Sequence, residues 1–88
     1  MLIGHKIKNL RYNRKLSQEE LASLLNISQK QYSLIESNQT KITFERLQKI
    51  AKVLGLSDEE YFELVKEKTK SISEKGDLIS GFKINLGL

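Results

Sequence analysis

The sequence predicts an all-α domain: a string of five short helices, followed by a C-terminal tail or short β-strand. Three observations carry this. One helix-start signal recurs four times, apolar residues recur at helical spacing between those signals, and no proline interrupts any of the 88 residues.

Ile3, Ile7 and Leu10 are spaced for one face of a first helix. Leu16 and Ser17 break the pattern. Ser17 with Glu20 makes a capping box, in which each side chain takes the other residue's backbone amide. Leu16 with Leu21 makes the matching hydrophobic staple. A second helix therefore starts at Ser17 and carries Leu21, Ala22, Leu24 and Leu25. Asn26 follows, a residue that tolerates the left-handed conformation that ends helices. Ser28 with Gln31 is a second capping box, stapled by Ile27 and Tyr32, and the third helix runs to about Ser37.

Thr43 caps a fourth helix, with Ile42 and Leu47 as its staple. Phe44, Leu47, Ile50, Ala51 and Leu54 lie along one stripe, and Gly55 closes the helix. Ser57 with Glu60 opens a fifth, stapled by Leu56 and Tyr61. Its early acids Asp58, Glu59 and Glu60 and its late cations Lys66, Lys68 and Lys70 both suit the helix dipole.

The last stretch differs. Ser71 to Asp77 reads as a polar linker containing Gly76. Beyond it Phe82, Ile84, Leu86 and Leu88 alternate with Lys83, Asn85 and Gly87, which is a strand period. A lone strand needs a partner, and the chain offers no second one, so the segment is either a dimerisation strand or a frayed tail. The organisation is thus a helical domain over residues 1–70 and a linker with a C-terminal segment over residues 71–88.

Composition excludes several function classes. The chain has no cysteine, so disulfides and thiolate metal sites are out, and its one histidine, His5, cannot build an imidazole cage for zinc. No cofactor is expected. No apolar run reaches membrane-span length and no signal-peptide core is present, so the chain reads as soluble and cytoplasmic. The charge-balanced fourth and fifth helices disfavour a membrane surface. No phosphate loop, nucleophile constellation or orienting acid for His5 is present, and an enzyme is disfavoured.

Charge points to a partner. The net charge is +4 and the pI is about 9.4. Residues 1–35 hold six basic side chains (Lys6, Lys8, Arg11, Arg14, Lys15 and Lys30) against Glu19 and Glu20. Residues 36–70 hold seven of each sign, and residues 71–88 two of each. A basic excess concentrated in one part of a small domain is the footprint of a polyanion binder.

The second and third helices are joined by about three residues, Asn26 to Ser28. That is the connection length of a helix-turn-helix, which places its second helix in a DNA groove. At 100° per residue, Ser28, Tyr32, Ile35 and Glu36 share one side of the third helix. Lys30, Ser33, Leu34 and Ser37 share the other, flanked by Gln29 and Gln31. The outer side is short, polar and cationic and carries no acid. Glutamine can bridge adenine, lysine can reach guanine and leucine can touch a thymine methyl. Inward-facing Glu36 needs a cation, and Arg11, one turn after Ile7, offers two parallel donors.

The run from Leu16 to Glu36, LSQEELASLLNISQKQYSLIE, resembles the lambda-repressor-like helix-turn-helix family, also called the Xre family. The likeness extends upstream through Ile7–Arg11 and Arg14-Lys15, and downstream through Phe44 to Leu54. The resemblance implies a compact five-helix bundle that binds operator DNA, usually as a dimer. It implies that Gln18 contacts a phosphate and that Gln29, Lys30, Ser33 and Leu34 face base edges. Ser37, Asn38, Thr40 and Lys41 are then set beside the DNA backbone. Ser28 and Gln31 complete the candidate DNA-facing set, and the resemblance points to the same Arg11–Glu36 ion pair. Many members have Gly in place of Asn26 and Asn-Gly in place of Ser37-Asn38. Many also have a polar residue in place of Leu34, whose role stays open between thymine contact, partner contact and plain exposure.

The expected function is therefore a sequence-specific DNA-binding transcriptional regulator, a repressor that binds a palindromic operator in double-stranded DNA as a homodimer. The alternative is a protein-interaction module of antitoxin or coactivator type that grips a partner protein through its C-terminal segment. The dimer joint is either Phe82, Ile84, Leu86 and Leu88, or the fifth helix through Tyr61, Phe62 and Val65.

Overall fold

Three helix starts close as full capping boxes. Ser17 N donates to Glu20 Oε1 (2.7 Å) while Glu20 N donates to Ser17 Oγ (3.0 Å). Ser28 and Gln31 exchange the same pair at 3.0 Å each, and Ser57 and Glu60 at 2.9 and 3.1 Å. At the fourth start Thr43 Oγ1 accepts from Arg46 N at 3.0 Å. The resulting elements, in a computed structural model that describes the backbone of residues 2–75 and the side chains of residues 2–70, are five helices. They are α1 (Ile3–Asn13), α2 (Gln18–Leu24), α3 (Gln29–Glu36), α4 (Phe44–Leu54) and α5 (Asp58–Lys75).

The first four helices also end alike. One left-handed residue follows each, at Lys15, Asn26, Asn38 and Gly55, with φ of 58°, 62°, 61° and 63°. Each stop carries the same two bonds. After α2, for example, Asn26 N donates to Ser23 O and Ile27 N to Ala22 O, both at 3.0 Å. This doubly bonded stop satisfies carbonyls the helix leaves open.

Helices of seven and eight residues, such as α2 and α3, do not hold alone in water. Burial holds them. Ile7, Leu21, Tyr32, Leu47, Ile50 and Leu64 are fully buried, so all five helices feed one core. Each large apolar side chain contributes about 1.5–3 kcal/mol. Ile42 and the staple residues Leu16, Ile27, Leu56 and Tyr61 pack on or around it.

Three details differ from the sequence reading. The fifth helix continues past Lys70 to Lys75, into the stretch expected as a linker. From Asp58 to Lys75 no glycine or proline stands to stop it. Phe44, expected on the buried stripe of α4, is 43 % exposed: it is the first residue of the helix, and its ring lies under Lys68 Nζ, 4.8 Å from the centroid. Leu24 is 50 % exposed. The alternating segment with Phe82, Ile84, Leu86 and Leu88 lies outside the described residues. No helix among the described residues is long and apolar enough to cross a membrane.

Candidate nucleic-acid interface

The left-handed Asn26 and the cap at Ser28 set α3 across α2. Tyr32, Ile35 and Glu36 then turn inward and are buried. Gln29, Lys30, Gln31 and Ser37 are exposed, while Ser33 and Leu34 are half-buried. Lys30 has no ion-pair or ring partner among the described residues. The outward surface of α3 is thus an amide-rich, cationic strip without a carboxylate.

Beneath the strip lies one buried polar network. Arg11 Nε donates to Glu36 Oε2 at 2.6 Å and Arg11 Nη2 to Oε1 at 3.2 Å. Arg11 and Glu36 are each 4 % exposed. Tyr32 Oη donates to Oε2 at 2.5 Å, Gln18 Nε2 to Oε1 at 2.9 Å, and Arg11 Nη1 to Leu16 O at 2.7 Å. No buried side-chain polar atom is left without a partner among the described residues. Burial pushes the Glu36 carboxyl up, but hydrogen bonds from Arg11, Tyr32 and Gln18 and the Arg11 charge outweigh it, so its pKa falls below the ordinary value. Burial, then the bond to Glu36, drives the Tyr32 phenol well above its ordinary value. Both groups therefore keep their protonation states at neutral pH, and the start of α2 is fastened to the end of α3.

The remaining candidate residues divide. Gln18, the first residue of α2, is half-buried, with one amide N–H held by Glu36. Ser28 and Gln31 serve first as each other's cap. Ser37 Oγ donates to Leu34 O at 3.3 Å. Asn38 is half-buried, and its Oδ1 accepts from Gly4 N at 2.8 Å. Thr40 and Lys41 are exposed in the loop that follows α3.

The charge segregation read along the sequence is not the charge segregation in space. Arg11 is neutralised by Glu36, Arg14 by Glu60 (3.0 Å), and Lys6 by Glu63 (3.3 Å) and Glu67 (3.9 Å). Half of the early basic side chains thus serve carboxylates from later in the chain. Arg14 also donates to Leu54 O at 2.8 Å, closing the end of α4. Lys8, Lys15 and Lys30 stay exposed without an ion pair among the described residues.

The helix-turn-helix family model matches residues 7–61, which span both helices of the motif and the network beneath them. The chain belongs to the helix-turn-helix family. It is similar to the wild-type restriction–modification controller protein C.Esp1396I, with 36 % identity and a TM-score of 0.64, covering 77 % of this chain and 90 % of that one. Its fold is also that of the clp gene regulator ClgR from Corynebacterium glutamicum, at 18 % identity and a TM-score of 0.65, covering 93 % of this chain and 84 % of that one. No curated protein matches the chain. Family and fold are those of DNA-binding transcription regulators.

Proposed function

We propose that this helix-turn-helix protein binds double-stranded DNA sequence-specifically, as a cytoplasmic homodimer on a palindromic operator, and represses transcription by occupying it. The observation that carries this is the outward strip of α3: Gln29, Lys30 and Gln31, exposed, without an acid, and held rigid by a buried network. Amide and ammonium groups at this spacing suit purine edges in the major groove. Gln18 on one side and Thr40 and Lys41 on the other are suited to the flanking phosphates.

The likeness to a restriction–modification controller makes that class of regulation the first to test. A two-fold dimer would set two copies of α3 about 34 Å apart, one turn of DNA. Phe62 is 59 % exposed on α5, with Tyr61 and Val65 half-buried beside it, which supports α5 as one joint. The segment from Phe82 to Leu88 is the other. Selection of bound duplexes from random DNA by the full chain should return one sequence with an inverted repeat. Recovery of unrelated sequences would overturn the specific reading. Recovery of an unrepeated site would overturn the palindrome.

A further inference from the structure

We propose that Lys15 is a DNA-phosphate contact, a role that rests on the DNA-binding reading and extends it to the turn between α1 and α2. Four helices end on a left-handed residue, and three of those positions hold Asn, Asn and Gly, the residues that accept this conformation. The fourth holds Lys15, at φ 58°. A lysine there pushes its Cβ toward the next carbonyl oxygen, a cost that asparagine and glycine reduce or avoid. Residues held in unsuitable backbone conformations concentrate at functional sites.

Folding supplies no use for the Lys15 ammonium. Its backbone N–H donates to Tyr12 O at 2.8 Å and so helps end α1, a bond any residue except proline makes. Its side chain is exposed, and no carboxylate or ring takes it among the described residues. The two arginines nearby are both committed, Arg11 to Glu36 and Arg14 to Glu60 and Leu54 O. Lys15 is the cation in this turn that remains available to a ligand.

The turn that carries it is anchored. Leu16 O accepts from Arg11, Arg11 binds Glu36 at the end of α3, and Glu36 holds Gln18. One network thus ties the turn to the inner face of α3 at its C-terminal end. An uncommitted cation on an anchored turn, three residues before Gln18, suits an oxygen of the DNA backbone. Such a contact carries no sequence information.

The test compares the full chain with Lys15→Gly and Lys15→Arg, on a duplex recovered by selection and on a scrambled duplex, across a salt series and in thermal melts. The glycine variant should melt higher, because the strain is gone, and yet bind both duplexes more weakly. Its log–log salt slope should be shallower by about 0.9 for each bound chain. The arginine variant should keep the wild-type slope. A glycine variant that binds on the wild-type slope overturns the phosphate contact, and one that melts lower overturns the strain argument. A wild-type chain that binds neither duplex at any salt concentration removes the DNA-binding reading itself, and this contact with it.

Discussion

The backbone amide of Gly4 donates to the side-chain oxygen of Asn38 at 2.8 Å, joining the start of α1 to the loop after α3. Leu2, the residue just before α1, supplies no side-chain acceptor of its own. Asn38 is therefore the cap of α1, delivered from the far side of the fold, and is itself left-handed at φ 61°. Asn38→Gly keeps the backbone conformation and removes the cap. A lost cap costs about 0.5–2 kcal/mol, so the variant should melt several degrees lower, while Asn38→Asp, which keeps the acceptor, should lose less. Equal melts for wild type and Asn38→Gly would take the capping role away.

Gly4→Ala tests the same junction sterically. A Cβ on Gly4 would stand 2.5 Å from Glu36 O and 2.6 Å from Ile35 O, both backbone atoms. Alanine gains up to about 1 kcal/mol of helix propensity over glycine. Overpacking against immovable atoms costs about 1–3 kcal/mol. The clash should win, and a lower midpoint in denaturant is expected. A higher midpoint would show that α1 can retreat from α3 without cost.

Arg11→Ala should destabilise far more than Lys8→Ala. Breaking the buried pair leaves Glu36 charged and uncompensated, at about 3–5 kcal/mol. Lys8 is exposed, has no ion pair and only approaches the Tyr12 ring (5.8 Å), so its loss should cost well under about 1 kcal/mol. Chemical denaturation of the two variants decides this, and matching midpoints would remove the pair from the account of stability.

These relationships separate what the sequence shows from what it hides. Helix starts are legible because a capping box lies within four residues, as at Ser17-Glu20 and Ser28-Gln31. The inward face of α3 is legible from its period, and Asn26 announces its own left-handed turn. The commitments of Arg14 to Glu60 and of Lys6 to Glu63 are not, because they span about half the chain or more and depend on how α5 packs. Read along the sequence, those cations looked available to a polyanion. Gly4 carries no signal at all, since its need for a bare Cα arises only when the end of α3 arrives. Leu34, drawn as outward on a helical wheel, is half-buried because a wheel does not know what packs along its edge.

Acid should weaken the fold through Glu36. Its carboxyl is held below its ordinary pKa by Arg11, Tyr32 and Gln18, despite burial that acts the other way. A depressed folded-state pKa contributes stability that is present above the unfolded-state value and is lost as pH falls through the folded-state one. Melting temperature should therefore drop as pH falls through and below the ordinary carboxylate range. Glu60 and Glu63, lowered mainly by their bonds to Arg14 and Lys6, act in the same direction. Glu36→Gln should start less stable and show a flatter acid limb. An acid limb as steep as the wild type's would place the titrating group elsewhere.

The central claim is that the outward strip of α3 reads DNA, and the most direct measurement is the operator preference of a Gln29→Ala, Lys30→Ala double variant beside Lys41→Ala. Each good bidentate base contact carries about 1–3 kcal/mol of discrimination. The double variant should lose most of its preference for the selected duplex over a scrambled one, while Lys41→Ala should weaken binding to both alike. A double variant that discriminates as well as the wild type would contradict the account, because the reader would then lie outside α3.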